Sequence, residues 1–329
     1  MIGWDEKYPS RTLENGHIRA VGMALAMQGS GISNVDTGSV SIRLVDEGTY
    51  SMSIGATDMG TGCDTILAQI AADGLDCSLE NISVHGVDTD VSPYDSGSYA
   101  SSTTYVTGMA VVKACEQMRG KLVRAGAQML DCAEEDALFE GDCVRSASTG
   151  KSVSLGDIAS AQMTAGMESI SVHASNGSPI SPPPFMAGCA EIDLDPMTGE
   201  VKVVDYVGVV DCGTVVNPNL ARVQTEGGIL QGIGMALYEC PVVDERGRTM
   251  SNSLLQYRLP TRVDAPSIRM AFEASYEETG PYGAKSIGEC VINTPCPAIA
   301  DAVYNACGVR VRELPITPEK VLFGEREDA

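Results

Sequence analysis

Short apolar runs broken by turn residues alternate along this chain with longer stretches in which apolar residues recur at helical spacing. Residues 18 to 29, 39 to 45 and 49 to 56 read as strands, the last two joined through the turn Asp46-Glu47-Gly48. Ile66, Ile70 and Leu75 then mark a helix over about 63 to 74. A strand at 82 to 87 leads through an aspartate-rich turn to a long helix, about 103 to 131. Residues 1 to 17 are polar without clear periodicity, as in an arm laid on something else.

Residues 132 to 184 are less regular and end in Ser181-Pro182-Pro183-Pro184, whose prolines cannot pair inside a sheet. The second half then repeats the plan of the first. Strands at 186 to 194 and 200 to 211 flank the turn Asp195-Pro196-Met197-Thr198-Gly199, and a Gly-rich loop leads to a helix of about 219 to 237. The echo reaches single residues, since Gly55 to Thr61 and Gly208 to Thr214 both read G-x-x-D-x-G-T. A strand near 268 to 275, a helix at about 297 to 307 and a short strand at 309 to 314 complete the chain. The pattern predicts a mixed α/β (α+β) fold of two pseudo-repeated subdomains built from β-hairpins and helices. Their expected limits are 18–165 and 166–329, after an N-terminal arm at 1–17.

With 329 residues and 43% hydrophobic content, the chain is long enough to bury a sizeable core. A net charge of -22 argues against nucleic acid or an anionic membrane as partner, because either would need basic stripes. The best apolar run, Ala20 to Met27, stops at Gln28 and is too short to span a bilayer. The start, Met1 to Lys7, has neither the basic cap nor the apolar core of a signal peptide, so a cytoplasmic location is expected. Eleven cysteines occur without any C-x-x-C, which points to reduced thiols packed as small hydrophobes. His17, His85 and His173 are far apart, so a His-ligated metal or a Ser-His-Asp triad is not expected.

The chemistry concentrates in Gly280-Pro281-Tyr282-Gly283-Ala284-Lys285-Ser286-Ile287-Gly288-Glu289-Cys290. Its glycines allow a backbone to lie against a bulky ligand, and Glu289 at the tip is a candidate general base. An isolated stretch of this kind reads more simply as an ordinary Gly-rich turn carrying a solvated Glu, and three other stretches shift the balance. Gly-rich loops entering helices at 59–65 and 97–103 can hold phosphate on backbone N–H groups, with hydroxyls of Ser98, Ser101, Ser102 and Thr103 beside the second. The alternative there is a helix cap with solvated serines. Two tempting nucleotide motifs fail. Gly150-Lys151-Ser152 has Arg145 where a P-loop needs Gly, and Gly29-Ser30-Gly31 is followed by Asn34 where a dinucleotide fingerprint needs its third Gly.

Four stretches in order carry a resemblance: Met59 to Thr65, Gly97 to Thr103, Asn217-Pro218 through Gln224 to Gly234, and Gly283 to Glu289. Over nearly the whole chain they resemble the second molybdopterin-binding half of the xanthine dehydrogenase and aldehyde oxidase family of molybdenum hydroxylases. The family loop M-G-Q-G matches at Met59, Gly60 and Gly62, while Thr61 stands in place of Gln. The resemblance implies a cofactor-binding set of Met59, Gly60, Thr61, Gly62, Ser98, Tyr99, Ala100, Ser101, Ser102, Thr103, Gln224, Lys285, Ser286, Ile287 and Gly288. Within it, Ser101 and Thr103 fall where phosphates are held, Gln224 where an amide meets the pterin, and Glu289 on the glutamate that acts as base.

It further implies molybdopterin cytosine dinucleotide carrying molybdenum, with a terminal sulfide or selenide. The metal is held by the pterin's own sulfurs, so no protein residue is expected to ligate it. Because this polypeptide begins where the family's second half begins, it is similar in layout to the nicotinate dehydrogenases, whose medium molybdopterin subunit is separate. That implies a separate large molybdopterin subunit, an iron-sulfur subunit with 2Fe-2S clusters and an FAD subunit, with NADP as final acceptor. The implied reaction is hydroxylation of nicotinate to 6-hydroxynicotinate with oxygen from water. Xanthine, other purines and aldehydes stay open as substrates, as do a non-catalytic structural subunit and a plain nucleotide site without metal.

Overall fold

Hairpins set the frame of both halves. The computed structural model describes residues 1–164 and 168–326. Its first elements are α1 (Trp4–Lys7), β1 (Ser10–Thr12), β2 (Ile18–Met27), β3 (Thr37–Leu44), β4 (Tyr50–Ile54), α2 (Cys63–Gly74), β5 (Ile82–His85) and α3 (Gly108–Leu130). There follow β6 (Ala137–Phe139), β7 (Cys143–Ser146), β8 (Ser152–Ser154), α4 (Leu155–Thr164) and β9 (Ser171–Gly177). The second half holds β10 (Phe185–Leu194), β11 (Val201–Asp211), α5 (Pro218–Leu237), β12 (Ser267–Phe272), α6 (Pro295–Cys307) and α7 (Pro318–Phe323). The strands form sheets ordered β1-β2-β10-β11-β12, β5-β4-β3-β9 and β6-β7-β8.

Two cores follow one plan. In the first, β3 and β4 form an antiparallel hairpin, α2 follows, and β5 returns parallel to β4. Helix α3 then packs across β3 and β9, which is antiparallel to β3. In the second, β10 and β11 form the hairpin, α5 follows, and β12 returns parallel to β11. Helix α6 packs across β10 and β2, which is antiparallel to β10. The repeat suggested by G-x-x-D-x-G-T is thus a repeat of elements. In both copies the Asp accepts a hydrogen bond from the N–H two residues on, Asp58 from Gly60 (2.9 Å) and Asp211 from Gly213 (3.1 Å).

Layering does not follow chain order. Ile18–Met27, expected with the first subdomain, pairs in the sheet of the second, and Ser171–Gly177, expected with the second, pairs in the sheet of the first. The boundary expected between residues 165 and 166 lies outside the described residues. Gly22 lets β2 make its contact: a Cβ there would stand 2.2 Å from the Ala302 backbone N of α6. The first core gathers Ile42, Met52, Leu67, Ile70, Met118 and Leu122, and the second Met186, Ile192, Tyr206, Ile229, Ile299 and Val303.

Three expectations change. The polar arm contains a short helix and an edge strand paired to β2, with Ile2 and Trp4 packed against Val21 and Val207. It is held by ions: Lys7 Nζ and Arg11 lie 2.5 Å from the buried Glu191 carboxylate. Residues 132–184 are more regular than expected, holding β6–β8, α4 and β9. No strand forms over 309–314, where Val309 makes one isolated bridge to Arg326 and α7 follows, started by the Thr317 hydroxyl. Among the described residues no helix is long and apolar enough to cross a membrane.

Candidate functional site

A cavity of about 690 Å³ opens where the two cores meet. The second half contributes the 285–289 loop, which is strapped to the end of β11. Lys285 N–H donates to Cys212 C=O (2.8 Å), Thr214 N–H donates to Gly283 C=O (2.8 Å), and Ala284 bridges Gly213. Cys290 anchors the far side, its buried thiol directed at the carbonyls of Pro184 (3.6 Å) and Ala26 (3.8 Å). Glu289 is left exposed at the cavity edge.

Two residues from elsewhere reach its carboxylate. Ser101 Oγ donates to Glu289 Oε2 (3.1 Å) while accepting from the Glu289 N–H (2.9 Å). Gln28, just past the end of β2, donates to the same Oε2 (3.4 Å). Ser101 is delivered by an unusual backbone, since Ala100 (φ 49°) and Ser101 (φ 56°) are consecutive left-handed residues.

Of the residues expected at the site, Met59, Thr61, Ser98, Ser101, Thr103, Gln224, Lys285, Ile287, Gly288 and Glu289 line this cavity. Gly60, Gly62, Tyr99, Ala100, Ser102 and Ser286 shape the walls from behind or beside it. Gly60 and Gly62 donate N–H groups to Asp58 and lead into α2 (2.9 and 3.1 Å). Ala100 C=O accepts from Gly31 N–H (2.8 Å), Ser102 Oγ is turned inward to Gly97 C=O (2.7 Å), and Ser286 Oγ donates to Ser101 C=O. Tyr99 is exposed.

Asn217, Gly227 and Gln231, inside the stretch from Asn217 to Gly234 but outside the expected cofactor-binding set, also line the cavity, and Thr214 there and Gln28 at Glu289 were missed as site residues. Thr214 carried a signal, as the last residue of the second G-x-x-D-x-G-T. Asn217 caps α5, accepting from Asn219 and Leu220 N–H (3.1 and 3.0 Å), and so fixes the helix that presents Gln224 and Gln231.

Charge at the site is mostly spent internally. Lys285 is buried with its ammonium 2.9 Å from Asp211 and over the Phe185 ring. Burial pushes the Asp211 carboxyl up, but hydrogen bonds from Ser275, Lys285 and the Gly213 N–H outweigh it and hold the group below its ordinary range. Asp58, Cys63 and Asp64 bring ligand-type atoms within 4.8 Å of one another. Yet burial, with both carboxylates beside it, pushes the Cys63 thiol up to about 12, and Asp58 is occupied by backbone N–H groups. Burial likewise pushes Cys212 up to about 11. Burial thus favours the neutral thiol form of both sulfurs.

Comparison with known proteins gives this site a setting. Residues 1–266 match the family described as molybdopterin cofactor-binding domain. The chain is 38% identical over 98% of its length to a protein of Escherichia coli (strain K12) described as probable hypoxanthine oxidase XdhD, covering 34% of that protein. It is 33% identical over 70% of its length to the nicotine 6-hydroxylase large subunit of Paenarthrobacter nicotinovorans, covering 29% of it. The chain thus spans about a third of the length of these curated relatives. Its fold superposes on quinoline 2-oxidoreductase from Pseudomonas putida 86 with a TM-score of 0.85 at 25% identity, covering 95% of this chain and 43% of that one. The chain belongs to the molybdopterin cofactor-binding domain family of the xanthine oxidase type.

Proposed function

We propose that this chain is a catalytic part of a molybdenum hydroxylase that places water-derived oxygen on a ring carbon of an N-heteroaromatic compound, with Glu289 as general base. The observation that carries this is the Glu289 carboxylate, fixed by Ser101 at the edge of a cavity lined by the Gly-rich loops. Three features of the cavity fit a bulky pterin dinucleotide. Gly60 and Gly227 have nothing within 4 Å of where a Cβ would stand, so the walls there are open. The Ser98 hydroxyl, which accepts from Thr103 Oγ1 (2.9 Å), keeps its own O–H free to donate to a phosphate-type oxygen. Gln224 and Gln231, two turns apart on one face of α5, suit the amide and ring-nitrogen edge of a pterin.

When bound, the molybdenum pterin supplies the activated oxygen and accepts the electron pair. The balance is R–H plus water to R–OH, two electrons and two protons. Glu289 takes up one of those protons at Oε1 or Oε2, and its exposure gives it a route to hand the proton on to solvent. Electrons leave through 2Fe-2S clusters and FAD on partner polypeptides towards NADP, and the remaining cofactor contacts come from a large molybdopterin subunit. The cofactor form is proposed as the cytosine dinucleotide, with a terminal sulfide or selenide.

The substrate is proposed as nicotinate or a comparable ring. Purine hydroxylation is the second reading, favoured by the extent of the match to the relative described as a hypoxanthine oxidase. In the assembled complex, turnover of nicotinate, nicotine, hypoxanthine and an aromatic aldehyde separates these readings. Glu289→Gln should lower turnover of the preferred substrate about 10²–10⁴-fold with molybdenum content unchanged. Turnover within a few-fold of wild type would remove Glu289 from the base role.

A further inference from the structure

Ser101 sits in the loop expected to bind phosphate, but its hydroxyl is already committed. A serine has one O–H to donate and two lone pairs to accept with. Here the O–H goes to Glu289 Oε2 (3.1 Å) and one lone pair takes the Glu289 N–H (2.9 Å), closing a ring between backbone and carboxylate of the same residue. What remains is a lone pair, which repels a phosphate oxygen. The loop is built to hold this arrangement. The left-handed pair Ala100–Ser101 is pinned at one carbonyl by Gly31 N–H (2.8 Å) and at the next by the Ser286 hydroxyl. Ser286 N–H is itself fixed on Ser30 Oγ (3.1 Å). Glycine at 288 keeps the approach open, because a Cβ there would stand 2.9 Å from Ser101 Oγ.

We propose that Ser101 is a positioning residue that orients the Glu289 carboxylate, and not a phosphate ligand. The inference rests on the reading of Glu289 as base. A donor at one oxygen and an acceptor at the N–H of the same residue hold the carboxylate in one orientation, so removing the Ser101 hydroxyl leaves it free to turn away from the cavity. Ser101→Gly is the decisive variant, because glycine accepts a positive φ more readily than serine and the loop should keep its path.

The experiment uses the assembled, cofactor-loaded complex. It measures molybdenum and nucleotide content, kcat, KM, and the pH dependence of kcat/KM. The Glu289 carboxylate is also titrated by infrared difference against Glu289→Gln. Ser101→Gly should retain metal and nucleotide, hold KM within about 3-fold, and lower kcat about 10- to 100-fold, the scale of a misplaced catalytic group. The pH profile and the infrared signal of the carboxylate should both differ from wild type. Metal and nucleotide lost in step with activity would instead make Ser101 a phosphate ligand, and an unmoved titration would make it a loop former only. If Glu289→Gln keeps full turnover, the base role falls, while the infrared shift still decides whether Ser101 and Glu289 are coupled. Should Ser101→Gly fail to assemble, Gly288→Ala presses on the same hydroxyl and is read by the same titration.

Discussion

Lys285 carries the only positive charge among the described residues lining the cavity, and it is spent on Asp211. An anionic ligand there must therefore rely on hydroxyls and backbone N–H groups. Lys285→Met should cost about 1–3 kcal/mol by leaving the partly buried Asp211 without its charged partner. The pH dependence gives the sign. Asp211 is held below its ordinary range, so its stabilising effect is present at neutral pH and fades as pH falls through and below about 4. Urea unfolding at pH 7 and pH 3 should show a smaller difference for the variant than for wild type. The position of Glu289 on a Gly-rich loop at the cavity was open to a reader of the chain because a motif surrounds it. Its contact with Gln28, 261 residues away, was not, since nothing local in either stretch points to the other.

At the scale of elements, Asn217 joins two helices. Its Oδ1 caps α5 while its Nδ2 donates to Gln69 on α2 (3.0 Å), tying the core of one half to the other. Asn217→Ala should lower stability by about 1–2 kcal/mol in denaturant titration, with less cofactor retained because Gln224 and Gln231 ride on α5. Helix α2 was legible from Ile66 and Ile70, which repeat at one turn and face the first core. Strands β6, β7 and β8 were not, because three or four residues are too few to show an alternation. Val309 and Val311 alternate as a strand would, yet here they serve packing: Val309 is buried and Val311 lies against the second core.

For the molecule as a whole, the arm is a charge-dependent attachment on a strongly acidic body. Burial pushes the Glu191 carboxyl up, but hydrogen bonds from Lys7 and Arg11 prevail and hold it below the ordinary range. Asp193, beside His17 (2.6 Å) and Arg19 (2.7 Å), is lowered in the same way. Both effects are present at neutral pH and are lost as pH falls below about 4. Amide protection factors, corrected for the intrinsic pH dependence of exchange, should fall across residues 1–17 at pH 3.5 before they fall in β10, and Glu191→Ala should lower them at pH 7. The double hairpin plan was readable from the chain, whereas the partnership of β2 with β10 was not, because strand alternation gives a face and never a neighbour.

That partnership makes the polypeptide its own clasp. The N-terminal strand reaches past the entire first half to complete the second, while Ser171–Gly177 finishes the first only after the long helix has been laid down. During synthesis the first lobe, continuous from β3 to β9, can close as it emerges, whereas the second must hold β2 waiting until β10 appears, and no single cut in the backbone would yield two independent halves.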